Sequence, residues 1–121
     1  VNSSGSIVTS ADYDYAELII RGYGAFGSDL STTATFISTI AYDDTLQKSN
    51  GCVAYVFTPS SNLTNTSSIH ETSSASTIGT VGRKAISALR QNSSITGINF
   101  VTSSAINFSI RSVKVYGMRV D

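Results

Sequence analysis

The chain has 121 residues, enough for one two-layer core and too few for a nucleotide-binding domain joined to a separate catalytic one. Only 13% of residues are charged, and eight Lys and Arg balance eight Asp and Glu, so no basic surface is available to neutralise nucleic-acid phosphates. A single Cys and a single His exclude an internal disulfide and a zinc site built on those ligands, and no apolar run approaches the roughly 18 residues of a membrane-spanning helix.

The N-terminal stretch VNSSGSIVTSAD has no basic region followed by an apolar one, so the mature domain is expected to be soluble, without membrane insertion. Asn2, Asn62, Asn65, Asn92 and Asn107 each open an N-x-[ST] triplet, a frequency that chance supplies in so Ser- and Thr-rich a chain. Glu occurs only twice, Met once and Trp never, so good helix formers are scarce.

In chain order, short β-branched and aromatic runs predict strands near Ser6–Thr9, Tyr15–Gly22, Thr35–Tyr42, Cys52–Thr58, Ser67–Glu71, Thr77–Val81, Lys84–Arg90, Thr96–Val101 and Ile106–Val120. Ala11–Asp14, Asp43–Gly51, Pro59–Asn62 and Gln91–Ser94 read as the intervening turns. Arg83–Arg90 is the one segment whose apolar residues Ala85, Ile86, Ala88 and Leu89 suit a helical face as well as a strand; strand is the preferred reading. At the C-terminus Val113 and Val115 alternate with Lys114, Tyr116, Met118 and Val120, which makes both faces of that strand partly apolar. No repeat of solenoid or propeller length is present. The expected fold is an all-β, antiparallel, jelly-roll-like β-sandwich of about eight strands, formed by residues 1–121 as one domain.

Gly22, Gly24 and Gly27 spell a G-x-G-x-x-G after the apolar run Tyr15–Ile20, and Asp43 and Asp44 lie at about the distance where a dinucleotide site places its ribose carboxylate. Such a site needs a helix opening at the third glycine, because the helix amides hold the pyrophosphate. The following Ser28-Asp-Leu-Ser-Thr-Thr-Ala-Thr-Phe-Ile37 is poor in helix formers, and residues 28–34 are too few for a crossover, which takes a dozen or more residues. No cofactor is therefore expected. The loop instead offers Tyr23 and Phe26, which either plug the end of a sandwich, the preferred reading, or stand exposed as a binding surface.

His70-Glu71 imitates an acid–base pair, but neighbours on a strand point to opposite faces, and no G-x-S-x-G elbow is present. Asp12 with Asp14, and Asp43 with Asp44, are read as solvated turn carboxylates rather than calcium ligands. Cys52, inside Gly51-Cys-Val-Ala-Tyr-Val-Phe57, reads as a small buried hydrophobe. No catalytic and no metal-binding residue is expected.

Two segments, Tyr13-Asp-Tyr-Ala-Glu-Leu-Ile-Ile20 and Ile110-Arg-Ser-Val-Lys-Val-Tyr-Gly-Met-Arg-Val120, resemble the opening and closing strands of distal jelly-roll domains in fibre or tail proteins of tailed bacteriophages, with Tyr116-Gly117 standing at the terminal Y-G dipeptide. The resemblance covers about a sixth of the chain, and Asp43–Gly51 replaces the glycine-rich middle of such domains. It implies a non-enzymatic homotrimeric knob on the virion surface that meets other virion proteins and binds a host cell-surface glycan or protein. The chain starts without an initiator Met and carries no shaft repeat, which fits the C-terminal piece of a longer fibre protein. Polar uncharged side chains and loop aromatics are compatible with sugar binding. Tyr23, Phe26, Tyr42, Asp43 and Asp44 are the candidate ligand-binding residues: aromatics to stack on sugar faces, carboxylates to accept hydroxyl hydrogen bonds. Two other readings compete, a ligand-free capsid, decoration or fibre protein, and a carbohydrate-binding module or adhesin domain of a cellular protein.

Overall fold

The computed structural model describes residues 1–2, 4–37, 51–59, 61–76, 79–100 and 112–118. Within them the protein is all-β: strands β1 (Tyr13–Arg21), β2 (Gly27–Ala34), β3 (Gly51–Phe57), β4 (Thr66–Ser76) and β5 (Gly79–Leu89), and no helix. They form one antiparallel sheet in the order β2-β1-β5-β4-β3.

The two longest strands, β4 and β5, pair from Thr66 with Leu89 to Ser76 with Gly79, and β1 lies against β5 from Tyr13 with Leu89 to Arg21 with Val81. These unbroken registers fix which side chains share a face, because the side-chain period of a strand is two. One face carries Glu17, His70, Thr72, Ser74, Val81, Ala85, Ser87 and Leu89, all buried. The other carries Leu18, Ile20, Leu30, Val53, Tyr55, Phe57, Ile69 and Ile86, all exposed. The covered face is thus the more polar one. Its side chains are mostly small, and part of its polar groups are paired: Ser68 and Ser87 share a hydrogen bond of 2.5 Å and Glu17 Oε1 is met by Arg83, whereas the buried hydroxyls of Thr72 and Ser74 make no hydrogen bond among the described residues.

Outside the sheet, the N-terminal amine donates to Gly97 O at 2.7 Å, Thr96 N–H donates to Val1 O at 2.9 Å, and Asn2 bridges to Ile95. Arg90 donates to the carbonyls of Ala11 and Thr32 at 3.2 and 2.6 Å and pairs with Asp14 at 3.1 Å, fastening the far end of β1 to β2.

Strand β1, strand β3 and the strand reading of Arg83–Arg90 agree with the sequence. Several elements differ. Ser6–Thr9 forms no strand; its backbone is drawn instead into the Asn2 turn, where the Asn2 side chain accepts the N–H of Ser6 at 2.9 Å. Gly27–Ala34, which lies outside every expected strand, is β2, because pairing with β1 supplies the hydrogen bonds that the polar side chains do not advertise. Ser67–Glu71 is the first half of the longer β4, and Thr77–Val81 with Lys84–Arg90 become the single β5, without the expected break. Thr35–Ile37, Thr96–Phe100 and residues 112–118 are not in strands, and the remainder of those three expected strands lies outside the described residues. Cys52 is exposed rather than buried, since β3 is an outer strand. No helix among the described residues is long and apolar enough to cross a membrane.

Candidate functional site

The glycine loop, Gly22 to Phe26, joins two adjacent antiparallel strands, and Gly27 opens β2. The G-x-G-x-x-G spacing therefore marks a hairpin, with a strand where a pyrophosphate site requires a helix N-terminus. The loop is tied down at three points. Gly22 N–H donates to Thr80 O at 2.9 Å, and Arg21 Nη1 donates to Ala25 O at 3.1 Å. A Cβ on Gly27 would stand 2.8 Å from that same Nη1, so glycine there makes room for the guanidinium. Tyr23 lies over Gly79, whose φ of +145° and lack of a side chain let the ring approach; a Cβ at 79 would sit 2.6 Å from Tyr23 Cδ1. Tyr23 consequently lies partly against β5 at 40% exposure, whereas Phe26 projects at 74%. These two sequence-predicted site residues share one braced loop. Tyr42, Asp43 and Asp44 lie outside the described residues.

The open sheet face is ordered by register. Leu30, Ala16, Ile86, Ile69 and Tyr55 are successive partners from one edge of the sheet to the other, an apolar row across all five strands. The next row runs Ser28, Leu18, Lys84, Glu71 and Val53. Ala16, the smallest side chain of the first row, sits in a shallow depression of about 380 Å³ lined also by Leu18, Ser28, Lys84 and Ile86. Lys84 Nζ meets Glu71 at 2.7 Å, and that contact holds the ammonium pKa above its ordinary value.

Groups able to do acid–base chemistry are arranged differently. His70 is 1% exposed on the covered face, while Glu71 points to the open one, as alternation requires, so the adjacent pair does not converge. Glu17 is held by Arg83 Nη1 at 2.8 Å. Asp12 accepts a hydrogen bond from Gln91 Nε2 at 2.6 Å; hydrogen bonds from Ser10 and Gln91 hold its carboxyl below the usual range. Asp14 is taken by Arg90, and Asp29 accepts from the Tyr15 hydroxyl at 3.1 Å. Among the described residues no three His, Cys, Asp or Glu side chains gather as a metal site.

The sequence reading missed the Glu17–Arg83 pair, although a lone Glu between Tyr15-Ala16 and the apolar run Leu18-Ile-Ile20 of β1 was a signal that a cation had to meet it. It also missed the apolar row, which only the register reveals. No family model, no curated protein and no solved structure matches the chain.

Proposed function

We infer that the chain is a non-enzymatic attachment domain at the tip of a virion fibre or tail, a homotrimer with a jelly-roll-like sandwich of about eight strands that binds a host-surface glycan or protein. The observation that carries this reading is the braced loop that presents Phe26 at 74% exposure beside the partly packed Tyr23. An exposed aromatic held by fixed backbone contacts loses little freedom on binding and offers a flat apolar face to a sugar or an apolar side chain. The likeness of residues 13–20 and 110–120 to phage fibre-tip strands supports the same reading.

The dispersal of reactive groups supports a role without catalysis. General acid–base work requires titratable groups within hydrogen-bond reach of one reacting centre. Here Glu17, Glu71, Asp12, Asp14 and Asp29 each have a separate partner, and they lie on different faces and ends of the sheet. The test is a glycan array that includes bacterial surface polysaccharides, probed with the labelled chain and with its Phe26→Ala variant. Retention of a defined saccharide class by the first and its loss by the second is expected. Equal retention by both would remove the loop from the site.

A further inference from the structure

The two edges of the sheet are unlike. β2 carries Asp29 and a register shift where Tyr13 and Tyr15 meet Ala34 and Ser31, so its free edge is charged and irregular, the usual protection against pairing with another chain. β3, Gly51-Cys-Val-Ala-Tyr-Val-Phe57, has no charge, no proline and an unshifted register against β4, and all of its residues are exposed. Among the described residues β4 is its only strand partner. An apolar, regular, unprotected edge is a template for strand addition.

What would fit that edge must be apolar on both faces, because β3 presents Val53, Tyr55 and Phe57 to the open face and Cys52, Ala54 and Val56 to the other. Residues 112–118, Ser-Val-Lys-Val-Tyr-Gly-Met, carry apolar side chains on both sides, Val113 and Val115 on one and Tyr116 and Met118 on the other, with Lys114 as the one charge, on the side of Tyr116. The segment equals β3 in length. It stands away from the sheet in its own chain, with Val115, Tyr116 and Met118 each more than four-fifths exposed, and among the described residues no hydrogen bond joins it to a strand. Among the described residues, one chain thus displays an unpaired acceptor edge and a donor segment that pairs with no strand. Two different surfaces, each complementary to the other, are what a heterologous contact between copies requires. A net charge of zero sets no long-range repulsion between them.

We propose that residues 112–118 of a second copy add to the free edge of β3, extending the sheet by one strand and continuing the apolar row that ends at Tyr55. This rests on the homotrimer reading, in which three such contacts close a ring, and it names the surfaces that build it. The added strand also covers Val53, Tyr55 and Phe57 at the margin of the open face.

Cys52, the sole thiol of the chain and part of β3, makes the contact testable. Val113→Cys, Val115→Cys and Tyr116→Cys are introduced one at a time into the full chain, oxidised, and run on non-reducing gels. Covalently linked multimers that vanish when Cys52→Ala is added are expected for at least one of the three. A bond formed within a single chain, linked species that persist without Cys52, or no linkage at all would overturn the proposal. Since the introduced positions are exposed, folding is checked simply by an unchanged Tm; as a second measurement, a synthetic peptide of residues 111–119 added in excess should lower the light-scattering mass to that of one chain, and an unchanged mass would count against the proposal. Binding to cells is read separately, so a chain that adheres but never cross-links fails this proposal without touching the attachment reading.

Discussion

Replacing Arg83 by Met leaves the Glu17 carboxylate, whose side chain is 1% exposed, without its cation. At about 4 Å between charge centres and an effective dielectric near 20, the gross attraction is about 4 kcal/mol. Removing one member of a buried pair typically costs about 3–5 kcal/mol, because the remaining charge is buried and uncompensated. A domain of this size has about 5–15 kcal/mol of stability in total, so Arg83→Met should remove a large part of it and lower Tm by about 10 °C or more. The double variant Glu17→Leu with Arg83→Met behaves differently. Glu17 Oε2 and Arg83 Nε make no hydrogen bond in the folded protein, so the pair is incompletely satisfied, and apolar replacement of both should restore stability to within about 1 kcal/mol of the parent. Urea unfolding of the parent, the two single variants and the double variant gives the coupling energy directly. An Arg83→Met variant that loses less than about 1 kcal/mol would refute the claim that the buried Glu17 side chain depends on Arg83.

Other positions give independent checks. Gly79→Ala places a Cβ against Tyr23 at a φ of +145° and should cost about 1–3 kcal/mol in urea unfolding, part of which the added Tyr23→Ala recovers. The folded-state pKa of Asp12 lies below its ordinary 3.8, so its contribution to stability is complete above that pH and is lost as pH falls through the lowered value. An NMR titration should find the Asp12 carboxyl below 3.8, and Gln91→Ala should move it upward. Desolvation raises the Cys52 thiol above its ordinary 9.0, so alkylation at pH 7 should be slower in the folded protein than in urea despite the exposure of the residue. Phe26→Ala removes an exposed ring and should change unfolding free energy by no more than about 0.5 kcal/mol.

β-Branched and aromatic content made β1, β3 and the second half of β5 legible: Tyr13–Arg21 and Gly51–Phe57 are rich in such residues, while Lys84–Leu89, whose apolar residues suit a helical face as well, reads from the sequence as separate from Thr77–Val81. β2 and the second half of β4 were not legible in the same way. Ser28-Asp-Leu-Ser-Thr-Thr33 and Thr72-Ser-Ser-Ala-Ser76 carry small polar side chains, and their strand state comes from the neighbours that pair with them. Alternation also tells which residues share a face without telling which face is covered. Leu18, Ile20 and Ile86 would by hydropathy be assigned to a core, yet the buried side is that of Glu17, His70 and Ser87. The loop aromatics were legible because glycines at 22, 24 and 27 punctuate the apolar run before them. That Tyr23 would lean on β5 while Phe26 projects depended on Gly79, a residue far away in sequence.

The central claim is attachment through the Tyr23–Phe26 loop, and the most direct measurement is staining of a panel of bacterial cells by the fluorescently labelled chain, compared with its Tyr23→Ala/Phe26→Ala variant. The account predicts saturable staining of a subset of strains by the parent chain and its loss in the variant, with the variant still folded. No staining of any strain by the parent, or undiminished staining by the variant, would contradict it.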